Sequence, residues 1–133
     1  MRLFDNPEQV TRVDIKTPVG HVKANNLINA NQNGMEFFTI GTHTIDIVLA
    51  LTLAINSVEF HPLSNIDSFI LQLHQSHQYY LEIMSNIGSK SINQLDNVQA
   101  NLIRIIILGT YDGNPPNQVS IKIVKRYIES IKY

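Results

Sequence analysis

Residues 45–55 read IDIVLALTLAI, the most apolar run in the chain. Plotted at about 100° per residue, its side chains place apolar groups on every side of a helix. Ile45, Ile47, Val48, Leu49, Leu51, Leu53 and Ile55, with Val58 beyond, leave Asp46, Thr52 and Asn56 as the polar positions away from the ends. A helix apolar all round is buried on most sides, against its own fold or a second subunit. The run predicts a first helix from about His43 to Ser57, capped by Thr42. It is far shorter than the roughly 20 residues a membrane-spanning helix needs, and it contains Asp46.

Upstream the pattern changes at Gly41. Val13 and Ile15 alternate with polar neighbours, Thr17-Pro18-Val19-Gly20 is a turn signal, and Val19 to Lys23 returns as a second strand. Asn31 to Gly34 is another turn signal, and Met35 to Ile40 is a third strand candidate, aromatic and β-branched. Downstream, Ser64-Asn65-Ile66-Asp67 has the spacing of a capping box, followed by the stripe Ile66, Phe69, Ile70, Leu73, Tyr80, Leu81, Met84 and Ile87 up to Gly88. Leu71 and Tyr79 fall outside that stripe. Ser91 to Gln94 opens a third helix ending at Gly109; its run Ile105 to Leu108 also suits a strand, but the caps and length favour helix. After Asn114-Pro115-Pro116 a last helix reaches about Ile131, although VSIKIV at 119–124 alternates like a strand.

The expected fold class is therefore α+β. An N-terminal antiparallel β-meander of about three short strands precedes a four-helix array with a central, very hydrophobic first helix. The 133 residues form a single domain, strand-rich over 1–41 and helical over 42–133. With 44% hydrophobic and 16% charged residues the chain is no disordered segment. Ten Lys and Arg against eleven Asp and Glu leave a net charge of −1, so no global field steers it to nucleic acid or an anionic membrane. The absence of cysteine excludes disulfides, thiolate metal sites and cysteine nucleophiles. The start, MRLFDNP, lacks the pattern of a signal peptide, and the expected location is cytoplasmic. The Ile- and Asn-rich, Trp-free composition suits an AT-rich bacterial or viral genome.

Catalytic signals are weak. His77 stands within the second stripe and reads as a buried, hydrogen-bonded core histidine. His43 with Asp46 and His74 with His77 are each spaced i, i+3, as two helical metal-ligand pairs would be. No Glu-x-x-His or His-Glu-x-x-His accompanies them, so no metal and no cofactor is expected. His21 and His61 read as strand-surface or loop residues. Ser64 and Ser91 read as caps rather than nucleophiles, and the isolated glycines form no phosphate loop. The spacing of Glu36, Asp46, Glu59 and Glu82 selects no carboxylate pair. Lys122, Lys125, Arg126 and Lys132, interrupted by Glu129, read as a solvated helix face rather than a nucleic-acid surface.

The Asn, Gln and Ser excess makes an uncharged surface suited to protein contact. The expected function is a non-catalytic protein–protein interaction module, an inhibitor, adaptor, chaperone-like or immunity-type protein, and the first helix is the expected contact of a two-fold homodimer. Its expected partner surface is Leu71, Gln75, Gln78 and Tyr79 on the outer side of the second helix, with Tyr79 as anchor. The alternative is a small enzyme with a pocket around His77.

Overall fold

The computed structural model describes residues 10–23, 38–75, 78–84, 91–92, 95, 98–117, 119 and 121–126, and of residues 22, 23, 78–84, 91 and 124–126 only the backbone. Among these residues every regular element is a β-strand: β1 (Val10–Thr17), β2 (Gly20–Lys23), β3 (His43–Phe60), β4 (Ile66–Gln75), β5 (Gln78–Met84), β6 (Ser91–Ile92), β7 (Val98–Thr110) and β8 (Ile121–Arg126). The strands pair antiparallel in the order β2-β1-β3-β7-β4-β5, with β6 and β8 also on β3. The α+β expectation is overturned. The first helix is β3, the second is β4 and β5, the third is β6 and β7, and the last contains β8.

The first two strands and their turn stand where the sequence placed them. The Thr17 hydroxyl donates to the Gly20 carbonyl at 3.0 Å and accepts from the Val19 amide at 3.2 Å. The third strand candidate does not form over 38–40, and its first residues lie outside the described ones.

β3 organises the rest. Its 18 residues would span about 60 Å if straight, roughly twice the width of a small domain. It therefore has to bend, and register shifts against β7, between Val48 and Leu53, and against β8, between Ile55 and Ser57, mark where it does. Ala50, Leu51 and Thr52 are exposed at the first shift, and the buried positions change phase there, from Ile45, Ile47 and Leu49 to Ala54, Ile55 and Val58. That phase slip made an alternating strand look apolar on all sides. Before the bend β3 lies between β1 and β7; beyond it, β8 replaces β1 on one edge and β6 joins on the other.

One face of the β1-β3-β7-β4 sheet is core. Val13 and Ile15, Ile45 and Ile47, Ile103, Ile105 and Ile107, and Phe69, Leu71 and Leu73 join one cluster with Val58, Phe60, Ile92, Leu95, Val119, Ile121 and Ile123. The Phe60 ring meets Phe69 edge-on at 4.9 Å, tying the far half of β3 to β4. Of the apolar run that suggested a homodimer, Ile45, Ile47, Leu49 and Ile55 are buried within one chain, Val48 and Leu53 are half-buried, and Leu51 is exposed.

Two polar devices fix one end of the sheet. His43, fully buried, donates from Nδ1 to the Gly41 carbonyl at 2.9 Å and accepts at Nε2 from the Thr39 amide at 3.0 Å, so segment 39–41 is fastened to the start of β3. Gly41 has φ +124°, and a Cβ there would lie 2.7 Å from Pro18 Cγ, so only glycine serves. Asn65, 1% exposed, exchanges hydrogen bonds with the Asn117 amide (2.8 Å) and side chain (3.1 Å) and donates to Asp112 (2.9 Å) and the Pro115 carbonyl (3.2 Å). The Ser64 hydroxyl accepts from the Ile66 amide at 3.3 Å, capping a strand where a helix was expected.

Two outcomes check this architecture. Leu71→Ala removes a core side chain and should lower unfolding free energy by about 2–5 kcal/mol in denaturant titration; a change under about 0.5 kcal/mol would place Leu71 on a surface. Burial holds the His43 pKa below its usual 6.5, although the Gly41 carbonyl opposes this. The neutral ring is the stabilising form, so its contribution is complete above about pH 6.5 and is lost as pH falls through the lowered folded-state value. The thermal midpoint of the wild type should drop on acidification below that point more steeply than that of His43→Gln.

Candidate functional site

The other face of the same strands is not a plain solvated surface. Its residues alternate with the core positions: Arg12, Asp14 and Lys16 on β1, Thr44, Asp46 and Val48 on β3, Leu102, Arg104 and Ile106 on β7, and Ile70, Gln72 and His74 on β4. Those on β3, β7 and β4 are all half-buried. Antiparallel register aligns them in rows at right angles to the strands. One row runs Asp14, Asp46, Arg104, Gln72. A second runs His21, Lys16, Thr44, Ile106, Ile70, and a third Arg12, Val48, Leu102, His74.

Asp46 and Arg104 are the centre. Arg104 donates from Nε to Oδ1 at 2.6 Å and from Nη2 to Oδ2 at 3.1 Å, a two-point bond that locks both planes. The side chains are 27% and 36% exposed, so water reaches the pair and its net stabilisation is modest. The Asp46 hydrogen bond raises the Arg104 pKa, keeping the guanidinium charged. Arg12 pairs less closely with Asp14, at 3.2 Å. His74 donates from Nε2 to the Gln72 side-chain oxygen at 3.2 Å and thereby orients that amide. Burial, and secondarily Arg104, lower the His74 pKa against the opposing pull of Asp46, so the ring is neutral at pH 7. The described face therefore carries compensated charge and many directional donors and acceptors, interleaved with Val48, Leu102 and Ile106.

Two shallow depressions lie on it. One, of about 390 Å³, is lined by Asp14 and Lys16 of β1, His21 of β2, Thr44 and Asp46 of β3, Arg104 and Ile106 of β7, and Gln72 of β4. The other, of about 500 Å³, lies toward Arg12, Val48, Leu102 and His74 and shares Arg104 with the first. A face of this kind can hold a polar, uncharged molecule by many hydrogen bonds.

The residues singled out from sequence are distributed differently. Leu71, expected on an outer surface, is 1% exposed and belongs to the core. Gln75 is half-buried at the end of β4 opposite Gln78, and Tyr79 is in register with His74; the side chains of Gln78 and Tyr79 lie outside the described residues. His77, Glu36 and Lys132 lie outside them altogether. His43 and Asp46, three apart, point to opposite faces of a strand, so the helical ligand pair does not exist. Among the described residues no group of three or more His, Asp or Glu is placed to hold a metal ion. His21 is on the strand surface, as expected, and belongs to the site; His61 accepts from the Leu63 amide in a turn. Glu59 is opposite Lys122 on the far half of β3.

Arg104, Asp14, Thr44 and Gln72 had no assigned role in the sequence reading. A signal existed: Asp46 and Arg104 are lone charges, each inside an apolar run, IDIVL and IRIIIL. Opposite lone charges in two apolar strands are explained most simply by pairing across them.

No protein-family model matches the chain, and no curated protein matches it. Among solved structures the chain is similar to a Streptococcus pneumoniae fucose binding module, at 12% identity and TM-score 0.49, over 65% of this chain and 68% of that one. It is also similar to a pectin binding carbohydrate binding module, at 13% identity and TM-score 0.46, over 71% of this chain and 73% of that one. Likenesses this loose assign neither a family nor a ligand.

In a double-mutant cycle on Asp46→Asn and Arg104→Gln, followed by denaturant unfolding, the coupling should be about 0.5–1 kcal/mol, with all three variants folded. A coupling above about 3 kcal/mol would mean that the pair is a desolvated structural bridge and not an accessible site.

Proposed function

We propose that this protein is a non-catalytic binding module whose ligand is an uncharged, hydroxyl-rich molecule, a glycan, held on the outer face of the β1-β3-β7-β4 sheet. The observation that carries the reading is the Asp46–Arg104 pair, bonded at two points and open to solvent at the centre of a half-buried face. A sugar presents neighbouring hydroxyls that both donate and accept, together with apolar C–H faces. Fixed planar groups such as carboxylate, guanidinium and carboxamide match vicinal hydroxyls, and Ile106, Val48 and Leu102 suit the C–H faces. Charge compensation within the face favours a neutral ligand over a phosphate chain, for which rows of uncompensated cations are expected.

Affinity electrophoresis through gels containing neutral polysaccharides tests this. The wild type should be retarded by at least one of them, and Arg104→Ala should lose about tenfold or more in affinity, equivalent to about 1.4 kcal/mol, while keeping its fold. If no polysaccharide retards the folded wild type, the reading falls and a protein partner takes its place. The surface to test would then be the turn end, where Val19 (83%), Ile40 (71%), Leu63 (70%) and Tyr111 (64%) are exposed.

A further inference from the structure

We infer that the ligand lies across the strands rather than along them, as an extended, uncharged glycan chain of about four rings held along its length and not by its end; this rests on the glycan reading above. The depression beside Asp46 draws its lining from β2, β1, β3, β7 and β4, five consecutive strands of the sheet. Adjacent strands lie about 4.8 Å apart, so the four intervals cover about 19 Å. Within that length the register supplies one hydrogen-bonding side chain per strand: Lys16 or Asp14, then Asp46, then Arg104, then Gln72, with His21 at the outer end.

The repeat distinguishes among chain polymers. A pyranose ring in an extended, equatorially linked chain advances by nearly one strand spacing, so each ring meets one strand's polar group. An extended polypeptide repeats on one face at about 6.8 Å, and a polyproline helix at about 9.3 Å, and neither stays in step with the strands. A nucleic-acid strand requires a cation at each phosphate, whereas two of the three cations on the described face, Arg12 and Arg104, are bonded to Asp14 and Asp46. At one end the trough reaches β2, the last strand in the sheet order, where a longer chain can run off the edge.

Calorimetric titration with cello-oligosaccharides, manno-oligosaccharides and an oligouronate series, each from the monosaccharide upward, tests the inference. Affinity should rise several-fold with each ring in a neutral series and level off at about four rings. His21→Ala and Gln72→Ala, at opposite ends of the trough, should each lower affinity for the longest chain several-fold more than for the shorter oligosaccharides. A monosaccharide bound as tightly as the longest chain overturns the inference and leaves a glycan-binding module that grips chain ends. Binding confined to the oligouronates overturns the uncharged class. Failure of all three series, while some other polysaccharide still retards the protein, overturns the extended equatorial chain. Failure of every polysaccharide removes the glycan reading itself.

Discussion

Everything in this protein is arranged around the length of one strand. β3 is too long to remain straight inside so small a domain, so its hydrogen-bond ladder breaks and restarts with the apolar face in a new phase. Its first half pairs with β1 and β7 and turns Ile45, Ile47 and Leu49 inward; its second half turns Ile55, Val58 and Phe60 into the same core. A single strand thereby supplies apolar surface from both sides of the bend. Burying each large side chain contributes roughly 1.5–3 kcal/mol relative to exposure. Changes near residues 49–52 would misplace both halves at once.

The same alternation leaves Thr44, Asp46 and Val48 of β3, Leu102, Arg104 and Ile106 of β7, and Ile70, Gln72 and His74 of β4 facing outward. Because inward positions are filled by Ile, Leu and Phe, fold stability places little demand on the outward row, which is free to carry Asp46, Arg104, Gln72 and His74. The Asp46–Arg104 pair contributes less to stability than one buried isoleucine. What the pair fixes is direction: a guanidinium and a carboxylate held in one plane keep their remaining donors and acceptors aimed the same way, with little rotamer freedom left to lose. The His74–Gln72 bond orients the next strand's amide in the same way.

Some of this was legible in the residues. The β1–β2 hairpin followed from Val13, Ile15 and the Pro-Val-Gly turn, because a short alternating run beside a turn has no helical rival. From His43 onward strand and helix patterns overlapped. Ile66, Phe69, Ile70 and Leu73 satisfy a helical stripe, while Phe69, Leu71 and Leu73 satisfy a strand, and both patterns share two residues. Leu71, which the helical reading left over, was the side chain that distinguished them, and it is buried. In IDIVLALTLAI the bend shifts the alternation midway, and averaging over two phases gives apolar residues all round. The capping residues misled for a physical reason: the Ser64 hydroxyl accepts a backbone amide two residues on, a local bond that serves a strand entry as well as a helix start. The site was illegible because its parts, Asp14, Asp46, Gln72 and Arg104, meet through register between strands distant in sequence. VSIKIV, by contrast, showed its alternation openly, with Val119, Ile121 and Ile123 buried and Lys122 exposed.

Chain entropy sets the order in which such a fold can assemble. Ile45 must find Ile105, and Ile55 must find Lys125, before either half of β3 is covered. Folding governed by contacts this distant runs in milliseconds to seconds, well behind helical proteins of equal size. Throughout that interval IVLALTLAI, with no charge and no proline, presents two unpaired edges of high strand propensity, the composition from which cross-β aggregates grow. Asp46 and Glu59 are the flanking charges that oppose such stacking, and in the native state Asp46 passes to Arg104. The carboxylate that pairs with Arg104 in the finished protein is thus also a gatekeeper against self-assembly of the unfinished one.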